Sequence, residues 1–308
     1  MSDMLMLEES LVKELTHIEE EHEWVELSNQ LGSKVDAEEL IDCLQQIEGI
    51  DRIETLTIDY NSSLHDLRVL RAFPNLKGLF VYGQNIKNLD GIEWFSKGEF
   101  IKIQTHRNRR RDISQLAQTK VEKIILFVER VEDLSVVAGC RNLEAVDISC
   151  SMEPDFAEWK EISAETISFK SCKFKYLGNI SIAERVKKLN VQGCRSLERF
   201  TGDNSNIQRL LVDSCNKLDL GTLRTFKGVE VLTVNSCKKE INLTELRGLE
   251  HLKHISFILC NVEVDLINLK EYFPSLESCY ISKMKKDYGI QLKQLNPDVQ
   301  IKSEYFQL

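Results

Sequence analysis

The residues best suited to chemistry are sulfur and guanidinium groups. Cys172, Cys194, Cys215, Cys237 and Cys260 recur at intervals of 22, 21, 22 and 23 residues, among nine cysteines in 308 residues. Thiolates bind zinc when four ligands converge in a tetrahedron. Evenly spaced thiols fall in a line instead, and no C-x-x-C occurs to start a metal knuckle. The expected role is a buried packing row, with Cys43, Cys140 and Cys279 as further core thiols on apolar patterns. The basic run HRNRRRD, residues 106–112, places Arg107, Arg109, Arg110 and Arg111 together, and guanidinium forks suit bidentate grip of carboxylate or phosphate. A solvated loop, a clamp on an acidic protein patch, a fold-back onto the acidic N-terminal segment and a nucleic-acid contact all fit that run. No phosphate-binding glycine loop, no G-x-S-x-G and no H-E-x-x-H is present. No catalytic constellation follows, and neither a metal nor another cofactor is expected.

The elements that position these groups come from a repeat. Apolar, two variable, apolar, one variable, apolar recurs as Ile53/Leu56/Ile58, Leu76/Leu79/Val81, Val121/Ile124/Leu126, Leu143/Val146/Ile148 and onward to Leu276/Cys279/Ile281, with a weaker copy at Ile101 and Ile103. Its fourth positions are spaced by 21 to 24 residues over ten intervals. A fixed period of this size marks stacked coils, each burying one face on its neighbours. The alternating end of the motif has the two-residue period of a strand, and one strand per repeat forces parallel pairing. Leu67, Leu70, Phe73 and Leu76 lie three apart, as do Leu246, Leu249 and Leu252, which suits a 3₁₀ return on the other side of the coil.

This repeat resembles the leucine-rich repeat family, L-x-x-L-x-L-x-x-N/C-x-L, over roughly residues 53–302. The resemblance implies an α/β solenoid of about eleven repeats, a horseshoe with a parallel sheet on its concave face. The period is that of the short, bacterial-type repeats. The ninth position, often Asn in the family, is Cys in five consecutive copies; Asn61 keeps the commoner residue and Cys150 is displaced by one.

Charge divides the chain. Residues 1–50 hold fourteen acidic and two basic side chains, whereas the remainder carries a small positive excess. Leu7, Leu11, Leu15, Ile18 and Trp24, then Leu40, Cys43, Leu44 and Ile47, fall at helical spacing, so an acidic helical cap is expected over 1–50 and repeats over 51–308. No apolar run approaches the roughly 18 residues of a membrane span, and the N-terminus has no signal-peptide pattern. With an odd cysteine count and no disulfide framework, a cytoplasmic protein is expected.

The outward strand positions should line the open face of the sheet, and most are polar. Phe80, Tyr82, Ile125 and Phe127 are the exceptions, grouped within three coils. Exposed aromatics so grouped are the usual makings of an interface, although a loop or the N-terminal segment could cover them. The expected function is non-catalytic protein binding through this face, with the arginine loop at its rim. An immunity-type inhibitor of a bacterial toxin and a ubiquitin-ligase-like recognition adaptor are both compatible. Nucleic acid is the least expected partner, because basic charge is not a chain-wide signal.

Overall fold

The computed structural model describes residues 4–29, 34–104, 111–128, 132–263 and 267–307. The chain divides into two compact units, Met1–Asp147 and Ile148–Leu308.

In the first unit seven parallel strands follow chain order: β1 (Met4–Glu8), β2 (Trp24–Ser28), β3 (Thr55–Ile58), β4 (Gly78–Val81), β5 (Phe100–Gln104), β6 (Lys123–Val128) and β7 (Ala145–Cys150), the last running into the second unit. Register keeps equivalent motif positions side by side. Leu56 faces Leu79, Leu79 faces Ile101, and Ile101 faces Ile124. All four are buried. The return arcs are 3₁₀ turns, as the spacing of three predicts: Arg68–Ala72 closes with Leu70 N–H donating to Leu67 O and Phe73 N–H to Leu70 O.

The first fifty residues differ from expectation. They supply two more strands of the same ladder, with Leu7 beside Leu27, Val25 beside Leu56 and Leu27 beside Ile58. The alternation in Met4–Glu8 and Trp24–Leu27 has period two, but leucines spaced by four mask it in the sequence. Leu11, placed inside by a helical reading, is 47% exposed. Only the second half forms the expected helix, α1 (Ala37–Gln45), where Asp36 caps the Glu38 and Glu39 amides at 3.0 and 3.1 Å. Leu40 and Leu44 turn inward, while Cys43 is half-buried rather than in the core. The segment is thus acidic coils, not a helical cap, and the ladder continues across residue 50.

In the second unit β8 (Thr166–Lys170), β9 (Lys188–Gln192), β10 (Arg209–Asp213), β11 (Val231–Asn235), β12 (His254–Ile258), β13 (Ser278–Ile281) and β14 (Gln300–Lys302) again pair in parallel and in order. A ten-residue helix, α2 (Lys286–Leu295), precedes β14, and Val299 and Ile301 complete the core as the closing element.

The cysteine row lies at the end of β7 and at the turns after β8 to β12. All six thiols from Cys150 to Cys260 are free and at most 5% exposed. Cys172, Cys194, Cys215 and Cys260 each donate S–H to a carbonyl of the preceding coil, at Ile148, Phe169, Val191 and Val234, over 3.4–3.6 Å. Backbone acceptors that would otherwise be orphaned are met from inside the coil. Cys150, one residue out of step in sequence, still joins the row, with its sulfur 3.7 Å from that of Cys172. The residue before each rung from Cys172 to Cys260 takes a left-handed turn: Ser171, Gly193, Ser214, Ser236 and Leu259 have φ of 56, 64, 56, 52 and 53°. Asn61 does not hold the equivalent place in its coil. It is exposed, and the neighbouring Ser62 is buried and donates to the buried Glu9 carboxylate at 2.5 Å.

Candidate functional site

On the first unit the outward sheet face carries rows of side chains set by the register. One runs Trp24, Thr55, Gly78, Phe100, Lys123; the next Glu26, Thr57, Phe80, Lys102, Ile125. Thr55 and Gly78 leave a gap between two large rings. A Cβ on Gly78 would come within 2.5 Å of the Phe100 ring, so glycine is what admits it. Trp24 and Phe100 both lean through this gap onto Phe80. Trp24 stacks on it at 5.5 Å and 13°, and Phe100 meets it edge-on at 5.3 Å. The Trp24 indole N–H donates to Thr57 Oγ1 at 2.9 Å, which fixes the ring's direction. Tyr82 continues the stack at 6.2 Å from Phe80.

Lys102 lies among these rings. Its Nζ is 5.8, 5.3 and 5.2 Å from the centres of Phe80, Tyr82 and Phe127, within cation–π range of all three. Ile125 is its register neighbour and is half-buried; Phe127 is 36% exposed. The four apolar residues read from the sequence therefore share one face, with Lys102 between the Phe80/Tyr82 pair and Phe127. The N-terminal segment contributes to this face: its Trp24 lies against Phe80 and joins the cluster, while Phe127 stays 36% exposed.

Acid flanks the cluster on the side of β2 and β3. Burial first, and the charge of Asp59 second, push the Glu26 carboxyl above its ordinary range. On the other side Lys123 is engaged by Asp147 at 3.7 Å.

The arginine run resolves differently from expectation. Arg107, Arg109 and Arg110 lie outside the described residues. Arg111 does not reach outward: it is 2% exposed, and its guanidinium donates to the carbonyls of Ile86 at 3.2 Å, Val81 at 3.2 Å, Gln104 at 2.7 Å and Gly83. These acceptors lie at the ends of β4 and β5 and in the turn after β4, where the chain leaves the ladder. A five-donor fork meets them where a shorter side chain would not. Arg111 is accordingly withdrawn from the candidate partner contacts; it holds the strand ends that carry Tyr82 and Gln104.

Two members of the cluster were not legible as such. Trp24 sits in the segment whose strand character was masked. Phe100 is at the third motif position, one pleat before the outward pair at the fifth and seventh; the alternation extended upstream by two residues reaches it.

No protein-family model matches the chain, and no curated protein is significantly similar to it in sequence. Among solved structures it is similar to the internalin InlF of Listeria monocytogenes, at 11% identity over 88% of each chain with a TM-score of 0.47. The functional domain of InlJ from the same organism, described as including a cysteine ladder, is 14% identical, with 90% of this chain covering 62% of that one and a TM-score of 0.42. A leucine-rich repeat protein of Leptospira interrogans is 12% identical over 93% of each chain, with a TM-score of 0.34. The repeat of 21 to 24 residues, its in-register parallel strands, the 3₁₀ returns and the buried cysteine rungs are those of the leucine-rich repeat solenoid fold.

Proposed function

We propose that the chain is a non-catalytic protein-binding scaffold that receives its partner on the outward sheet face of the first unit. The observation that carries this reading is the contiguous cluster of Trp24, Phe80, Tyr82, Phe100 and Phe127 on a face that a sheet ordinarily gives to polar residues. Large rings ordered by stacking lose little freedom on association, which favours affinity. Aromatic anchors of this kind typically cost about 2–4 kcal/mol each when truncated. The test is recovery of partners from the native cell extract by wild type and by Phe80→Ala/Phe127→Ala, with folding checked by circular dichroism. Loss of one specific partner supports the reading; unchanged recovery of every partner removes it.

Within that role, an immunity-type inhibitor of a bacterial toxin is the finer reading and a substrate-recognition adaptor the second. Rescue of cells co-expressing a candidate toxin separates them, since an adaptor gives no rescue. We place the protein in the cytoplasm, where nine thiols without a disulfide remain reduced.

A further inference from the structure

The cluster is not simply apolar: its middle is a positive charge. Lys102 projects from β5, between the rings of β4 and the ring of β6, and among the described residues no carboxylate lies within ion-pair distance of it. The contrast with Lys123 on the next strand is direct, since that side chain meets Asp147. Ring faces attract an ammonium but leave its net charge in place. Three of them also restrict where the flexible stem can go, so much of the ordering that a salt bridge normally costs is already done. The remaining groups set a direction. Glu26 and Asp59 are two or three strands away, which at about 4.8 Å per strand is roughly 10–14 Å. Burial first, and the charge of Asp59 second, raise the Glu26 carboxyl above its ordinary range.

Resting on the protein-binding reading above, we propose that Lys102 is a preorganised receptor for a carboxylate of the partner, set among apolar side chains that cover the surrounding rings. A partner base placed toward Glu26 and Asp59 completes the match. In an extended segment at about 3.3 Å per residue, acid and base would lie three or four residues apart. The fitting partner surface is therefore an apolar strand or loop with one Asp or Glu and, a short way along, one Lys or Arg. A nucleic-acid strand, which would also stack on rings, brings phosphates along its whole length and would be repelled by the Glu26/Asp59 flank.

The probe is a capped six-residue peptide, Phe-Glu-Phe-Val-Leu-Lys, with its Glu→Gln counterpart. Binding is read from Trp24 fluorescence and from the NMR signals of the Lys102 side chain in the full chain. The Glu peptide should bind about tenfold more tightly than the Gln peptide, and should shift the Lys102 signals. Lys102→Met keeps an apolar stem over the rings; it should bind both peptides alike, at the Gln level. Phe80→Ala/Phe127→Ala should weaken both. Equal affinity of the two peptides for wild type, with loss in the ring variant, overturns the carboxylate receptor and leaves protein binding standing. Equal affinity that the ring variant does not reduce overturns both. Failure of both peptides to bind at up to about 5 mM, where contacts of this size register, overturns the carboxylate receptor. So does oligothymidylate binding more tightly than the Glu peptide with steep salt dependence.

Discussion

Replacing Arg111 tests whether its guanidinium is a structural peg or a hand held out to a partner. In Arg111→Met the stem is kept and the fork is lost. Four carbonyl acceptors, at Val81, Gly83, Ile86 and Gln104, lose their charged donor in a place that water does not reach. Hydrogen bonds to a charged group contribute about 1.5–3 kcal/mol each, so the gross loss is large. Part is offset, because the variant no longer buries a cation; removing one member of a buried charged arrangement usually costs about 3–5 kcal/mol net. With a urea dependence of about 2 kcal/mol per molar, the first unit's midpoint should fall by roughly 2 M. Arg111→Lys retains the charge with three donors instead of five and should recover part of the loss. Urea melts followed by far-ultraviolet circular dichroism and tryptophan emission give the midpoints. A fall below about 0.5 M in the methionine variant refutes the peg. So does a partner lost by a variant that melts like wild type.

Other outcomes are equally direct. Because the Glu26 carboxyl is raised in the folded state, the stability it leaves intact below its ordinary range is lost as pH climbs through its folded value. Glu26→Gln should therefore raise the melting temperature near pH 7 and change little near pH 3; an equal rise at both pH values contradicts the sign. Leu259 holds φ 53° and is 53% exposed, so Leu259→Gly should stabilise by roughly 0.5–1 kcal/mol in a denaturant melt, relieving left-handed strain at little cost in packing. Of nine thiols only Cys43 is not buried, and burial pushes Cys140 and Cys279 up to about 12. Titration of native protein with a thiol reagent at neutral pH should show one fast group, and several fast groups would mean that the cysteine row is open.

The coil plan was legible because each repeat buries the same three positions, and burial writes itself into residue type. Leu56, Leu79, Ile124 and their equivalents are interior wherever the period placed them. The N-terminal coils were obscured for a physical reason. Leu7, Leu11, Leu15 and Ile18 satisfy a helical spacing, but only the pairing of β1 with β2, itself laid on β3, decides that Leu7 lies in a strand and Leu11 points to solvent. Arg111 was obscured because sequence shows the charge of a side chain and not the carbonyls it meets. Phe80, Tyr82, Ile125 and Phe127 could be placed on one face by alternation alone. That Lys102 lies over three rings could not, since it depends on the lean of side chains between neighbouring strands.

That Trp24 reaches the face from the second strand has a practical consequence for anyone trimming the chain. Cutting at residue 50, where the acidic stretch ends and the obvious repeats begin, would look harmless on paper. It would strip the indole from Phe80, remove Glu26, and leave the ladder edge at Thr55–Ile58 bare, with backbone amides and apolar side chains both facing solvent. Such a truncate should be sticky for the wrong reasons, and its failures or successes in capture experiments would describe the cut rather than the protein.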